Sequence, residues 1–346
     1  MLVQEPIHFF HDGAGCPVLI GQLQRRRDLQ RPHRSALEAD LGDQLLLLFA
    51  QRNVLDQEPH HPLALGLGRG GILPARATAA AAAIVGHSRT ELAGAWSHLG
   101  TADDRRRTAG QSGAFDLAAT LLRAEGAIIR RRHLGASAAV FAGAARADEG
   151  IRPGLSIYGV VPDGLAIDPR RVAAAVALQP AMSLHARPVR VIDLPAGSAI
   201  SYSTTFTTQR PSRIATLPVG YADGYSRIRS NRATVLVRGQ RVPLVGIVAM
   251  DAVMADVTDV PGPPIGLGDE FVLLGEQGDE RIDAVELAHL GTTISWEVLS
   301  TMARRLPRVY YAAAGPIGLL TLTEERGPWR TVQSDVARRA AAGSTL

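Results

Sequence analysis

Ser201 to Asp251 reads SYSTTFTTQRPSRIATLPVGYADGYSRIRSNRATVLVRGQRVPLVGIVAMD. Three pieces stand out. Tyr202 follows a glycine-containing turn in SYS, Tyr221 and Tyr225 bracket a glycine-rich loop in GYADGY, and Asp251 ends an apolar run in AMD. Taken singly, each tyrosine suits a strand end, where the ring packs inward and the hydroxyl stays wet. The surroundings alternate as strands do over 184–194, 213–219, 233–237, 242–248, 255–257 and 271–274, with glycine-rich turns between. A mostly-β domain is therefore expected over 176–312. Short helices are expected at 283–290, with Asp283 at a capping position, and at 293–305. Residues 313–346 read as a tail whose alanine-rich end frays.

Upstream the pattern changes. LGLGRGGI, around Arg69, is a glycine-rich turn, and the alanine-rich 75–85 favours helix. GAWSHLGTADD (94–104) runs from strand into loop and carries His98; alone, it reads equally as a satisfied core histidine. A helix is expected at 115–125. IIRRRHLGASAAVF (128–141) is a second strand and loop, with His133 and Ser137. IRPGLSIYGVVP (151–162) places Gly154 at a loop-to-helix junction, where a glycine admits close backbone approach and free N–H groups favour an anion. Strand–helix alternation predicts part of a parallel α/β barrel over 62–175, with its site at the C-terminal strand ends. Residues 1–61 stay unassigned, a poorly ordered segment being expected. His8, His11, His33, His60 and His61 have no metal-ligand spacing, and no metal is expected.

In this order and spacing, SYS, GYADGY and AMD resemble the C-terminal domain of alanine racemases. These pyridoxal-phosphate enzymes interconvert L-alanine and D-alanine for peptidoglycan. The resemblance is clear over 151–311 and fainter over 65–150. It implies an incomplete (β/α)8 TIM-type barrel followed by the mostly-β domain. Tyr202 becomes one catalytic base, coupled to His98 and Arg152. Arg152 faces the cofactor ring nitrogen, Gly154 and Leu155 offer N–H groups to the phosphate, and His133 and Ser137 belong to the same pocket. Trp296 stands where the family has a phosphate-holding tyrosine. Arg69 and the Met250 N–H meet the substrate carboxylate, Tyr221 gates the entrance, and Asp251 completes the substrate set. The resemblance also implies a head-to-tail homodimer, each β domain lending its tyrosine to the partner's barrel; an intact racemase is an alternative partner.

One count conflicts with the activity. The 37 Lys+Arg residues are all arginine, so these 346 residues hold no lysine. The family carries its Schiff-base lysine in a VKANAYGHG-like motif, absent here; counting back from Arg69 sets it before Met1, and a truncated barrel is expected. Other departures are Pro62 for a second lysine, Ala64 and Leu65 for aspartate and threonine, Ala136 for asparagine, and Ala249 for cysteine. Racemisation needs a base on each face, and a tyrosine near its ordinary pKa of ~10 is a poor one at neutral pH. The expectation is a racemase relative inactive as it stands, with a non-catalytic dimerisation or binding module as the alternative. A decarboxylase of the same barrel class would need the lysine too.

Bulk composition adds limits. At 346 residues and 46% hydrophobic, two domains with a large core are affordable. The +4 formal charge is small, and the arginines are not interleaved with aromatics, so no nucleic acid is expected. The triplets at 25–27, 105–107 and 130–132 read as solvated faces. A single cysteine, Cys16, excludes an internal disulfide and suits a reducing, cytoplasmic setting. No signal peptide or membrane span is expected.

Overall fold

The computed structural model of the chain describes residues 74–86, 92, 94–312 and 315–321. Arg69, the departures at 62–65, the segment 1–61 and the end of the tail lie outside the described residues. The chain divides between Leu178 and Gln179 into two compact units.

The first unit alternates helix and strand. Its elements are α1 (Ala77–Val85), β1 (Ala95–Trp96), α2 (Arg105–Ala124), β2 (Arg132–Ala136), α3 (Ser137–Phe141), β3 (Gly150–Arg152) and α4 (Val172–Val176). The strands form a parallel sheet in the order β1-β2-β3, with Trp96 beside His133 and Ala136 beside Arg152. Alanine propensity favours α1, which buries Ala77, Ala81 and Ile84 along one face. Helix α2 begins at 105, ten residues before the expected 115. The Asp104 carboxylate accepts from the Arg107 N–H, and this cap offsets the cost of Gly110 and Gly113 inside the helix.

Arg105, Arg106 and Arg107 are exposed or nearly so, in the first turn of α2. The triplet at 130–132 corrects the sequence reading, because Arg132 is largely buried. Its guanidinium lies 5.0 Å from the Phe115 ring centre, pairs with Asp116, and donates to Glu149 at 3.0 Å. Arg146 donates to both Asp116 oxygens, at 3.0 and 2.9 Å.

The second unit is antiparallel. Its strands are β4 (Leu184–Ala186), β5 (Arg190–Leu194), β6 (Ala199–Ile200), β7 (Phe206–Thr207), β8 (Ser212–Leu217), β9 (Thr234–Val237), β10 (Gln240–Pro243), β11 (Val253–Asp256), β12 (Phe271–Gln277) and β13 (Glu280–Ile282). Helices α5 (Ala284–Leu290) and α6 (Ser295–Ser300) and the hairpin β14 (Arg308–Ala312) and β15 (Gly315–Leu320) follow. One sheet runs β10-β9-β12-β13, with β4 also on β12; a second runs β11-β8-β5. The core centres on β9 and β12, where Val235, Leu236, Val237, Phe271, Val272 and Leu273 are fully buried. Burial on this scale is the main drive for the unit.

Three expectations are revised. The strand at 184–194 is two strands in different sheets, broken around Pro188, which lacks an N–H for a ladder. The strand at 242–248 ends at Pro243; after a bridge from Leu244 to Ala255, the chain turns at Gly246, φ 80°. The helix at 293–305 is confined to α6. No helix among the described residues is long and apolar enough to cross a membrane.

Candidate active site

In the first unit, the three parallel strands bring the singled-out residues together, with His98 just past β1 and His133 at the second position of β2. Arg152, at the end of β3, is the hub. Its Nη1 lies 2.5 Å from His133 Nδ1 and donates to the His133 carbonyl at 2.9 Å; its Nη2 donates to the Ser97 carbonyl and lies 3.2 Å from His98 Nδ1. A guanidinium only donates, so Nδ1 of both histidines is an acceptor, and each neutral ring carries its proton on Nε2. The Arg152 guanidinium also sits 4.7 Å from the Trp96 ring centre, and Trp96 stacks on His133 with centroids 6.1 Å apart. Burial, reinforced by the Arg152 charge, lowers the His133 pKa from 6.5 to about 4. Burial also lowers the Arg152 pKa, to about 10, which leaves it charged at neutral pH.

Ser137 opens α3 and is 3% exposed, so its hydroxyl must bond within the protein. Its Oγ accepts from the N–H groups of Gly154 (3.0 Å) and Ser156 (3.2 Å) and lies 3.0 Å from Ser156 Oγ. Leu155 is buried and starts a short 3-10 turn, Leu155–Tyr158. A Cβ added at Gly154 would meet nothing within 4 Å, so its backbone faces open space.

In the second unit, backbone bonds, neutral side chains and one ion pair share the holding. Tyr202 is 67% exposed and flanked by left-handed residues, Ser201 (φ 64°), Ser203 (φ 60°) and Thr204 (φ 47°). Such non-glycine conformations cost about 1 kcal/mol or more each and persist only where neighbours enforce them. The enforcing bonds are visible. Ser201 Oγ donates to the Ile247 carbonyl at 2.7 Å, and Asn231 joins the Gly246 N–H (2.6 Å) to Thr205 Oγ1 (3.1 Å). The GYADGY loop lies against the AMD turn, with the Tyr221 and Ala222 N–H groups donating to the Ala249 and Met250 carbonyls at 3.0 and 2.9 Å. Gly220 makes this possible: a Cβ there would stand 2.3 Å from the Ala249 oxygen and 2.5 Å from the Asp251 nitrogen. Buried Asp223 accepts from the Gly220 N–H and takes a two-pronged ion pair from Arg305, at 2.6 and 2.9 Å. Tyr221, Met250 and Asp251 are exposed, and Trp296 stands on the first turn of α6.

Residues 46–162 match the family model described as alanine racemase, N-terminal domain, and residues 181–310 match that of alanine racemase, C-terminal domain. The chain belongs to the alanine racemase family. It is 40% identical over 315 residues to an alanine racemase of Symbiobacterium thermophilum, covering 89% of this chain and 81% of that protein. To the alanine racemase of Clostridium novyi it is 37% identical over 254 residues, which is 72% of this chain but 64% of that protein. The solved alanine racemase of Bacillus anthracis with bound L-Ala-P has 30% identity and a TM-score of 0.64, covering 74% of this chain and 65% of that one. The alanine racemase of Bartonella henselae with covalently bound pyridoxal phosphate has 28% identity and a TM-score of 0.53, covering 64% and 58%. The chain thus spans somewhat under two thirds of several relatives. The racemase fold, a barrel-like domain followed by a β domain, is shown by these likenesses.

Sequence reasoning missed Trp96 and Ser97, which wall the Arg152 site, and Ser156, which shares Ser137. Each neighbours a singled-out residue in sequence, but only the parallel register places Trp96 beside His133. Asn231 and Arg305 were missed as well. They act on the Tyr202 and GYADGY loops from distant positions.

Proposed function

We propose that this chain binds pyridoxal phosphate and alanine as its relatives' names indicate, but does not racemise alanine by itself. One observation carries this reading: Arg152 gathers His98 and His133, and Ser137 gathers the Gly154 and Ser156 N–H groups, while none of the 346 residues is lysine. The N–H groups of Gly154 and Ser156 donate to Ser137 Oγ within 3.2 Å, beside open space at Gly154, and would donate to a phosphate in place of that oxygen. Those residues, with Leu155, would hold the phosphate, and Trp296 takes the position of the family's phosphate-holding tyrosine by resemblance. Arg152, charged even when buried, would face the ring nitrogen and withhold a proton from it. The bound cofactor would supply an electron sink for the carbanion left when the α proton of alanine departs.

This chain's own residues would do the rest. Arg69 and the Met250 N–H would orient the carboxylate, with Asp251 beside it and Tyr221 at the mouth. Tyr202 would exchange the proton on one face, tuned by His98 and Arg152. The opposite face has no lysine, so the second proton transfer fails. The exposed, rigidly held Tyr202 suits donation to a site in another molecule. We place the chain in a cytoplasmic homodimer, or in a mixed dimer with an intact racemase. The residue ranges assigned here are 62–175 for the barrel part and 176–312 for the β domain.

The test is an absorbance titration of the purified chain with pyridoxal phosphate, followed by borohydride, with D-alanine formation assayed in parallel. The expected result is saturable binding that dialysis reverses, no absorbance band fixed by borohydride, and no D-alanine. A fixed band or steady D-alanine production would overturn the inactive reading; absence of binding would overturn the cofactor reading.

A further inference from the structure

Away from the cofactor pocket, three side chains of the second unit form a hydrogen-bonded row. Ser183 Oγ lies 2.9 Å from His185 Nε2, and His185 Nδ1 lies 3.1 Å from Glu270 Oε1. Strand geometry explains the meeting. Ser183 and His185 are two residues apart at β4 and share one face. The antiparallel register sets Val272 against His185 and Phe271 against Ala186, which carries Glu270 past the end of the strand pair. Gly275, φ 127°, stands beside Ser183; a Cβ there would come within 2.8 Å of the Ser183 Cβ, so glycine leaves the serine its room.

The proton positions follow from the partners. An ionised carboxylate only accepts, so Nδ1 holds the proton and donates it to Glu270. In that tautomer Nε2 is bare and accepts from the Ser183 hydroxyl. This is the tautomer and order of a serine nucleophile with its base and orienting acid.

We propose that Ser183 is an activated nucleophile that accepts acyl groups from small activated esters, with His185 as general base and Glu270 as its positioning residue. Ser183 Oγ attacks the ester carbonyl and its proton passes to Nε2. The bond to the aryl oxygen breaks, and the aryl oxide leaves with the electron pair while the imidazolium gives up its proton to it or to solvent, which restores the bare Nε2. A water molecule deprotonated by Nε2 then attacks the acyl-serine, releasing the carboxylic acid and restoring the hydroxyl. All three residues are exposed, so a small reagent reaches them directly. An open site stabilises a developing oxyanion weakly, and so good leaving groups define the substrate class. The absence of lysine removes side-chain amines as competing acyl acceptors.

The experiment uses the full chain with p-nitrophenyl acetate. The expected result is a burst of about one equivalent of p-nitrophenolate, with acetyl found on Ser183 by peptide mass spectrometry. Ser183→Ala abolishes the burst, His185→Ala slows Ser183 labelling on the order of 100-fold, and Glu270→Gln slows it less. Acetyl spread over other serines with no preference for Ser183 would overturn the proposal, as would unchanged Ser183 labelling in a folded His185→Ala chain. Should a variant fail to fold, the wild-type labelling pattern decides alone.

Discussion

The two places where the singled-out residues gather are held in different ways. In the first unit, one half-buried side chain, Arg152, ties together two histidines, two carbonyls and the Trp96 ring across short parallel strands. In the second unit, the Tyr202 loop is held by the neutral side chains Ser201 and Asn231, and the Tyr221 loop by backbone bonds, by Gly220 pressed against neighbouring backbone and by the Asp223–Arg305 pair. A site held by a charge should yield to changes of charge. A site held by close backbone approach should yield to added volume.

The largest effect should come from Arg152→Met. It leaves His133 Nδ1 and the Ser97 and His133 carbonyls without their charged donor, and hydrogen bonds of that kind are worth about 1.5–3 kcal/mol each. Partial rehydration offsets some of this, so the expected loss is about 3 kcal/mol, read as a lower urea midpoint for the first unit, together with loss of pyridoxal phosphate binding. A midpoint equal to wild type would mean the hub carries no structure.

Paired glycine substitutions sharpen the contrast. Gly220→Ala forces a Cβ against the Ala249 oxygen and should cost about 2 kcal/mol by overpacking, with Tyr221 displaced. Gly154→Ala meets open space and should leave stability within about 0.5 kcal/mol while weakening cofactor binding, because the new methyl occupies the phosphate approach. Thermal melts and a binding titration on both chains separate the two cases, and equal destabilisation would remove the distinction. Asp223→Asn, which breaks the pair with Arg305 under the same loop, should cost about 1.5 kcal/mol in the same melts.

What could be read in the sequence was local. SYS, GYADGY and AMD, and the run from Arg152 to Leu155, each carry their meaning in a few consecutive residues, with glycine where backbones approach. What could not be read depends on pairings across the chain. Arg132 looked like one of three solvated arginines, yet it is buried by Asp116 and Glu149, 16 and 17 residues away. Ser183 and His185 share a strand face, but their third member, Glu270, is 85 residues from His185. Pro188 was a legible break inside 184–194, and the alternation of apolar residues on either side of it masked the change of sheet. The lysine count was legible in full, since it needs no structure.

A further effect, of about 1 kcal/mol, is a pH dependence belonging to the Arg152 site. His133 titrates at about 4 in the folded chain and near 6.5 when unfolded. Between those values the unfolded chain takes up a proton that the folded one refuses, so falling pH favours unfolding. The stabilising contribution is complete above pH 6.5 and is lost as pH drops toward 4. The ring is only half-buried, so screening leaves about 1 kcal/mol of this difference. Urea midpoints of wild type and His133→Gln, compared at pH 7.5, 5.5 and 4, isolate the effect from that of the other histidines. The wild-type advantage should shrink as the pH falls. Parallel pH profiles in the two chains would show that His133 is protonated as freely in the fold as out of it, and that Arg152 does not hold its ring neutral.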